Sequence, residues 1–428
     1  MPDGAESDSL GQRMHDLARR LWPLNRSITG EGTRQTLRIL REICPAMTLH
    51  EAPSGTAAFD WTVPDEWNVR AAYIVGPDGE RFCDFAENNL HLVGYSVPVD
   101  EEMDLAALQG HLYSLPDQPD AIPYVTSYYA RRWGFCLTQR ARDALTPGSY
   151  RAVIDATLAP GALTYGEILL PGASAREVLI STYVCHPSMA NNELSGPCVS
   201  IHLAAWLAGL PARRCTYRFV YGAETIGSLT YLSRHLDHLK QHVIAGFNLS
   251  CLGDERAYSY LPSRAENTLA DRAALHALTH VAPGFTRYGW ADRGSDERQY
   301  CAPGIDLPVA SIMRSKYGAY PEYHTSLDDL SLVTPAGLEG GFTALKRAIE
   351  TIEADCRPRM NVLGEPQLGK RGLYPTISTK ESGATVRTMM NLITYCDGTR
   401  TLLEIAEKIG APAWELRPIL DRLAAHDL

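Results

Sequence analysis

Histidines and carboxylates follow several hydrophobic segments in the second half of the chain. His186 ends the segment EVLISTYVCH, and Glu193 comes seven residues later. Glu224 ends TYRFVYGAE, and His324 lies in YPEYHTSLDD, just after LPVASIMRS. Two imidazoles and one carboxylate form a ligand set that suits catalytic zinc with one position open to water. We therefore expect zinc bound by His186, His324 and a carboxylate. Glu193 is the candidate for that carboxylate, and it could instead cap the helix that starts at Ser195.

Glu224 is the candidate general base. Its place at the end of a buried strand predicts desolvation, which raises the pKa of a carboxyl group and suits it to proton transfer near neutral pH. A zinc ion would acidify its water and polarise a carbonyl, and Glu224 would take the proton and pass it to a leaving amine. The predicted reaction is hydrolysis of an amide bond.

The segments that carry these residues alternate with amphipathic helices. Continuous apolar strands alternating with helices indicate an α/β domain with a largely parallel sheet. Function in such sheets gathers at the carboxyl ends of the strands, so these polar residues are expected at one edge. Further candidates for substrate binding or for support of the metal ligands lie at or near these ends: Asn191, Asn192, Asp296, Glu297, Arg298 and Tyr323.

Some neighbouring residues have simpler interpretations. Cys185 is expected to point away from His186 into the core, because side chains alternate along a strand. Asp328 and Asp329 are expected as charges of a loop or helix start. Four aromatic residues could line the cleft, although core packing is the expectation for them: Tyr124, Tyr128, Tyr129 and Trp133.

The order of these motifs resembles the clan of co-catalytic zinc aminopeptidases, which includes glutamate carboxypeptidases and glutaminyl cyclases. Over nearly its whole length the chain more closely resembles a bacterial aminopeptidase-like family with an inserted β domain and a C-terminal winged helix. Members of that family occur with genes of polysaccharide or specialised-metabolite biosynthesis. The matching segments are LWPLNRSITGEG, CHPSMANNELSGP, ETIGS, GSDERQYCAPGIDLP and YHTSLDDL.

The resemblance implies roles for particular residues and also shows departures from the clan. His186 corresponds to the first zinc histidine, His324 to the last and Glu224 to the general base. Three carboxylate ligands of the clan are replaced, by Asn192, Thr225 and Ser250. Because these neutral groups are poor ligands for a second cation, one zinc ion is favoured over two.

Three domains are predicted. Residues 1–50 and 166–365 form the aminopeptidase-like catalytic domain, residues 51–165 form an inserted β-rich domain, and residues 366–428 form a winged-helix module. The third helix of that module lacks the basic face that phosphate contacts require, so docking is favoured over nucleic-acid binding.

Composition narrows the class of protein. The 428 residues carry a formal net charge of −10, which argues against broad binding to nucleic acid or anionic membranes. No apolar run approaches the roughly 20 residues of a membrane span, and no secretory signal is recognisable. The ten scattered cysteines contain no CxxC pair, which is typical of reduced thiols in the cytoplasm. The expected partner is a small molecule or short peptide, and a homo-oligomer is compatible with the sequence.

Two alternatives to the hydrolase remain. The lost carboxylates could leave a catalytically inactive binding scaffold, and a single zinc ion would also suffice for a glutaminyl-cyclase-like acyl transferase. Every metal-dependent interpretation requires the rings of His186 and His324 to approach a common cation.

Overall fold

The computed structural model describes residues 9–374 and 380–428. The α-helices of the described residues are α1 (Leu10–Leu21), α2 (Glu31–Ile43), α3 (Leu105–Leu108), α4 (Gln139–Asp143), α5 (Ser195–Ala208), α6 (Ile226–His242), α7 (Leu269–Val281), α8 (Glu297–Tyr300), α9 (Pro335–Ala354), α10 (Lys380–Thr394), α11 (Leu402–Ile409) and α12 (Ala413–Ala424). The strands are β1 (Thr48–Pro53), β2 (Ala57–Ala58), β3 (Trp61–Thr62), β4 (Glu66–Val75), β5 (Arg81–Phe82), β6 (Val99–Asp104), β7 (Leu112–Tyr113), β8 (Phe135–Cys136), β9 (Ser149–Ala159), β10 (Ala162–Leu170), β11 (Glu177–Tyr183), β12 (Thr216–Gly222), β13 (Val243–Leu249), β14 (Ser259–Leu261), β15 (Thr286–Arg287) and β16 (Val309–Met313).

A mixed sheet of eight strands forms the centre of the protein. Its order is β1-β10-β12-β11-β13-β16-β14-β15. The four central strands β12, β11, β13 and β16 are mutually parallel, whereas β1, β10 and β14 pair with their inner neighbours in the antiparallel sense. The edge strand β15 pairs with β14 in the parallel sense. The predicted α/β fold is thus confirmed, with a parallel centre that includes the strands leading to the candidate site.

The central strand β11 shows why the sheet has helices on both faces. All seven of its residues are buried. Val178 and Ile180 pack with α1, α2, α5, α7 and α9, whereas Leu179 and Tyr183 pack with α6 and the β-rich region. Since successive side chains of a strand point to opposite faces, a strand covered on both sides is mostly apolar. The buried polar residues of β11, which are Glu177, Ser181 and Thr182, all form hydrogen bonds.

The β-rich region lies between β1 and β10. Both of these strands belong to the large sheet, so the chain leaves the sheet after Pro53 and returns at Ala162. Between them a second, antiparallel sheet has the order β5-β4-β9-β6. Two further pairs of short strands complete this region: β2-β3, which is antiparallel, and β7-β8, which is parallel. The predicted domain boundaries themselves stay a prediction.

The C-terminal helices α10, α11 and α12 form a module that packs beside the large sheet and its helices. The backbone N–H of Ala413, at the start of α12, donates to His276 Nε2 on α7 at 2.9 Å. Arg272 on the same helix forms an ion pair with Glu407 of α11 at 2.8 Å. Helix α12 also lies against α9. The module is therefore docked on the face of the sheet covered by α7 and α9.

Candidate active site

His186 lies just beyond the end of β11 and is held from behind by Glu193. The strand ends at Tyr183, and the next turn of chain leads into a short π-helical segment, Ala190–Leu194, before α5. Glu193 in this segment places Oε2 at 2.9 Å from His186 Nδ1. A carboxylate at Nδ1 fixes the tautomer with the proton on Nδ1, which leaves the lone pair of Nε2 available to a metal.

The other ring nitrogen of His186 faces the cleft. Glu224 Oε2 lies 3.7 Å from Nε2, too far for a hydrogen bond. The centroids of the His186 and His324 rings are 5.6 Å apart, with the ring planes inclined at 41°. Two imidazoles that share one zinc ion at about 2.0–2.1 Å from each nitrogen have centroids roughly 5–6 Å apart. The spacing of the two rings therefore suits a common ion.

His324 reaches this position through an uncommon backbone conformation. Its φ is +58°, in the left-handed region. Its ring stacks on Tyr323, with centroids 3.8 Å apart, and meets the edge of Tyr124 at 5.2 Å. Tyr323 is thus a packing support for the His324 ring. Because these contacts surround the imidazole with aromatic carbon, its direction into the cleft is well defined.

Both imidazoles are neutral at physiological pH. Burial lowers the pKa of His186 to about 3, and the nearby charge of Arg26 lowers it further. Burial likewise lowers the pKa of His324 to about 3, with a contribution from His186. Since the neutral ring is the form that binds metal, the environment prepares both residues for that role.

Glu224 is partly exposed to the cleft and has a strongly raised pKa. Burial, followed by the charge of Asp296, raises the pKa of Glu224 to about 8. Asp296 Oδ1 accepts hydrogen bonds from the Thr225 N–H at 2.8 Å and from the Ser228 hydroxyl at 2.9 Å. Asp296 therefore belongs to the support of Glu224, and burial raises its own pKa to about 6.

The backbone N–H groups of Asn191 and Asn192 bind the carboxylate of Asp328, which the sequence predicts as a charge of a loop or helix start. Asp328 is fully buried and accepts from the backbone N–H groups of Asn191 and Asn192 at 2.6 and 2.9 Å. Tyr320 donates to the same carboxylate at 2.9 Å. Asp328 thus joins the segment after His186 to the loop that carries His324. No spacing in the sequence signals the contact with Asn191 and Asn192, since both are more than a hundred residues from Asp328.

Glu297 is not brought to the cleft. Its Oε1 accepts from the N–H groups of Gly294 and Ser295 at 2.9 Å and from the Tyr317 hydroxyl at 2.6 Å, and Asn248 donates to Oε2. The carboxylate is fully buried. These bonds give it a structural function in the turn that carries Asp296.

The cleft above the histidines has a volume of about 540 Å³. The lining includes residues from the loops around the large sheet and from the β-rich region: Ile28, Trp61, Tyr124, Thr126, Tyr128, Tyr129, Cys185, His186, Glu224, Thr225, Ile226, Arg298, Gln299 and His324. Three of the four aromatic residues expected in the core are in this lining, whereas Trp133 stacks on His111. Cys185 also reaches the cleft, because strand alternation no longer applies beyond Tyr183.

A metal could approach His186 from either ring nitrogen. On the Nδ1 side, Cys185, His186 and Glu193 offer ligand atoms within 4.8 Å of one another. That side is fully buried, and the Arg26 guanidinium lies 3.7 Å from Glu193. On the Nε2 side, His324 and Glu224 face the cleft. Among the described residues only the Nδ1 side brings three ligand atoms within 4.8 Å of one another. Because a nearby cation opposes metal binding there and the cleft gives access to Nε2, the Nε2 side is the more favourable approach for a metal ion.

The fold is that of aminopeptidases. A zinc aminopeptidase from Bacillus subtilis has a similar structure, with a TM-score of 0.56, 13% sequence identity, and coverage of 79% of this chain and 94% of that protein. An aminopeptidase from Aneurinibacillus sp. strain AM-1 gives a TM-score of 0.51 at 15% identity, covering 79% of this chain and 93% of that one. At such low identity these similarities define the fold.

The chain belongs to the family described as a domain of unknown function, DUF4910, which matches residues 15–355. A winged helix-turn-helix family matches residues 356–428 and confirms the predicted C-terminal module. A protein of Clostridium acetobutylicum is 41% identical over 99% of this chain and 97% of its own length, and its name refers to polysaccharide biosynthesis and an aminopeptidase-like domain. A crystal structure from the same organism, whose description includes the word peptidase, has a TM-score of 0.91 at 40% identity and covers 97% of this chain and 95% of that one. The predicted resemblance to an aminopeptidase-like family is confirmed.

Proposed function

We propose that this protein is a metal-dependent hydrolase of amide bonds. The observation that carries the proposal is the convergence of His186 Nε2, His324 and Glu224 on one cleft, with the two rings 5.6 Å apart. His186 and His324 would supply two ligands of a single zinc ion, one fewer than the three protein ligands usual at catalytic zinc. We assign Glu193 to the support of His186 rather than to the ion, because its Oε2 already contacts Nδ1.

A bound zinc ion would polarise the amide carbonyl and make water a stronger acid. Glu224 then has the proton-transfer function. Its raised pKa, about 8, allows it to accept and release a proton near neutral pH. It lies beside His186 and opens onto the cleft, so it can receive the proton from water and deliver it to the leaving amine.

The cleft indicates the size and character of the substrate. A volume of about 540 Å³ is typical of sites for small molecules. Aromatic rings line one wall, and Arg298 and Gln299 offer hydrogen-bond donors on another. The name of the Clostridium relative supports a substrate that belongs to polysaccharide biosynthesis. We therefore place the scissile amide in a small molecule or short peptide of a biosynthetic pathway.

Metal analysis combined with an activity screen tests the proposal. Protein purified without added metal should contain about one zinc ion per chain and should hydrolyse a member of a panel of aminoacyl and acyl amides. His186→Ala and His324→Ala should lose both the metal and the activity. Glu224→Gln should retain the metal and lose about 10²-fold or more in kcat, the usual scale of a general base or acid.

His202→Ala is the matched control, because His202 bonds to the Cys198 carbonyl on α5 and does not line the cleft. It should leave both readouts unchanged. A folded protein that contains no metal, cannot be loaded with zinc and hydrolyses none of the amides would refute the hydrolase and favour the binding scaffold.

A further inference from the structure

Arg26 is a fully buried arginine whose charge requires a physical explanation. It lies in the loop between α1 and α2, within the motif LWPLNRSITGEG, and has no exposed surface. Arginine is almost never fully buried unless it is paired, because removing its charge from water is costly. The contacts of this side chain should therefore show what it does.

Its guanidinium contacts three parts of the protein. Nη1 donates to the Leu21 carbonyl at the end of α1 at 2.6 Å, and Nε donates to the His186 carbonyl at 3.2 Å. Nε also lies 3.7 Å from Glu193 Oε1, with both side chains completely buried. Among the described residues, Nη2 of Arg26 and Oε1 of Glu193 have no hydrogen-bond partner. The ion pair is the main charged contact of both groups, and the Arg26 charge opposes the effect of burial, which raises the pKa of Glu193 to about 8.

These contacts continue directly to the cleft. Glu193 faces Arg26 with Oε1 and His186 with Oε2, so the three side chains form a line that ends at His186 Nε2. Arg26 also holds the backbone of His186 through its carbonyl. One guanidinium therefore restrains both the main chain of the histidine and the carboxylate that orients its ring.

We propose that Arg26 is a positioning residue for the metal site. This proposal rests on the proposed function, in which His186 Nε2 binds the ion. Arg26 keeps Glu193 against Nδ1, and Glu193 keeps the proton on Nδ1, so that Nε2 presents its lone pair to the metal. Without a cation beside it, Glu193 is a buried carboxylate lacking compensation and has no reason to remain at Nδ1.

A purely structural function for Arg26 predicts a different result. In that case its loss would lower stability by freeing the loop from the sheet, while the tautomer of His186 and the zinc affinity of the folded protein would not change. The two functions are therefore separated by measurements on His186 itself.

The first measurement uses the metal-free wild-type protein. Nitrogen-15 NMR of the histidine rings should show His186 with its proton on Nδ1. A proton on Nε2 would overturn the proposal without any variant being needed. This readout does not depend on hydrolysis, so it stays informative even if the proposed activity fails.

The second measurement is the zinc dissociation constant, obtained by competition with a chelator. Arg26→Gln keeps hydrogen-bond donors for the carbonyls but removes the charge, and it should weaken zinc binding by about 10-fold or more, as loss of a metal ligand's support usually does. Arg26→Lys keeps the charge and should recover most of the affinity. Arg218→Gln is the matched control, since Arg218 is also buried but pairs with Glu177 at the opposite end of β11.

A double-mutant test shows whether Arg26 acts through Glu193. In the Glu193→Gln background, Arg26→Gln should cause no further loss of zinc affinity. An equal loss in both backgrounds, or an unchanged affinity and tautomer in folded Arg26→Gln, would overturn the proposal. If the wild-type protein binds no zinc at all, the proposed function fails, and the tautomer comparison between wild type and Arg26→Gln still tests Arg26.

Discussion

At the scale of single residues, the site depends on a strained turn at Thr225. Its φ of +62° and ψ of −76° place a β-branched residue in a conformation that such residues rarely adopt. The Thr225 N–H donates to Asp296, and its hydroxyl accepts from Arg298 at 3.0 Å. Strain of this kind persists only where the surrounding contacts impose it. We infer that the turn aims Glu224 at His186.

The charge of Asp296 should contribute to the ionisation of Glu224. Burial is the larger cause of the raised Glu224 pKa, about 8, and the Asp296 charge is the next. Asp296→Asn keeps an oxygen for the Thr225 N–H and the Ser228 hydroxyl but removes that charge. The Glu224 carboxyl should then ionise at lower pH, and any limb of the pH–rate profile that reports it should move to lower pH. Carbon-13 NMR titration of the metal-free protein checks this directly.

Asp329→Asn is the control for that experiment, because it removes the same charge in a loop where Asp329 bonds to Ser331. It should leave the titration of Glu224 unchanged. A Glu224 pKa that stays constant or rises in Asp296→Asn would show that burial alone sets it.

At the scale of elements, a small hairpin forms the rim of the cleft. The strands β2 and β3 pack against α6, and Trp61 on β3 meets Tyr129 with ring centroids 5.8 Å apart. Trp61 and Tyr129 are 42% and 55% exposed, which is unusual for large aromatic side chains that line a cavity. Exposed apolar surface beside a site marks a place where a ligand binds. We therefore expect the hairpin to contact the substrate rather than to take part in the chemistry.

Removing the Trp61 ring should weaken substrate binding and leave the chemical step intact. Trp61→Ala should raise KM by about 2- to 10-fold, the effect of losing roughly 0.5–1.5 kcal/mol of ring contact, with little change in kcat. Phe59→Ala is the control, since Phe59 is 49% exposed in the same hairpin but does not line the cleft. A fall in kcat at constant KM would contradict this assignment.

At the scale of the whole molecule, the winged helix is an integral part of the structure. In helix-turn-helix proteins the helix after the turn presents its N-terminal residues to the DNA bases. Helix α12 holds that position, but its start is bound to His276, and Trp414 packs against the rings of His276 and His280. Docking and DNA contact therefore compete for the same helix. Among the described residues, no helix has the length and apolar character needed to cross a membrane.

The docking contact should make stability depend on pH. Burial lowers the pKa of His276 to about 4, whereas histidine in an unfolded chain titrates near about 6.5. Between these values the unfolded chain binds a proton that the folded protein does not, so this contribution to stability is complete above about pH 6.5 and is lost as the pH falls toward 4. Thermal melts should show a decreasing Tm across this window.

His276→Gln isolates the contribution of the docking contact, because glutamine can accept from the Ala413 N–H without titrating. The fall in Tm between pH 7 and pH 4 should be smaller in this variant than in the wild type. Replacement of the exposed His426 by glutamine should not alter the fall. Parallel curves for His276→Gln and the wild type would show that protonation of His276 does not weaken docking.

The sequence by itself determined the architecture and the edge of the sheet at which the candidate site lies. Apolar strands alternating with amphipathic helices indicate the fold, because the spacing of the buried residues along a segment shows whether that segment is a strand or a helix. The ends of β11 and β12 could be located in the same way, and with them His186 and Glu224. The winged-helix module was also recognisable from its three short helices.

Only the tertiary structure decided how these residues meet. Arg26 contacts the His186 carbonyl across 160 residues of sequence, and Asp328 joins Asn191 across 137. Neither contact follows from periodicity, because each depends on how two loops pack after their strands have ended. The same holds for Cys185, which lines the cleft because it lies beyond the end of the strand, where side-chain alternation no longer applies. It also holds for Glu193, whose carboxylate contacts Nδ1 of His186 because the π-helical segment places it behind the ring.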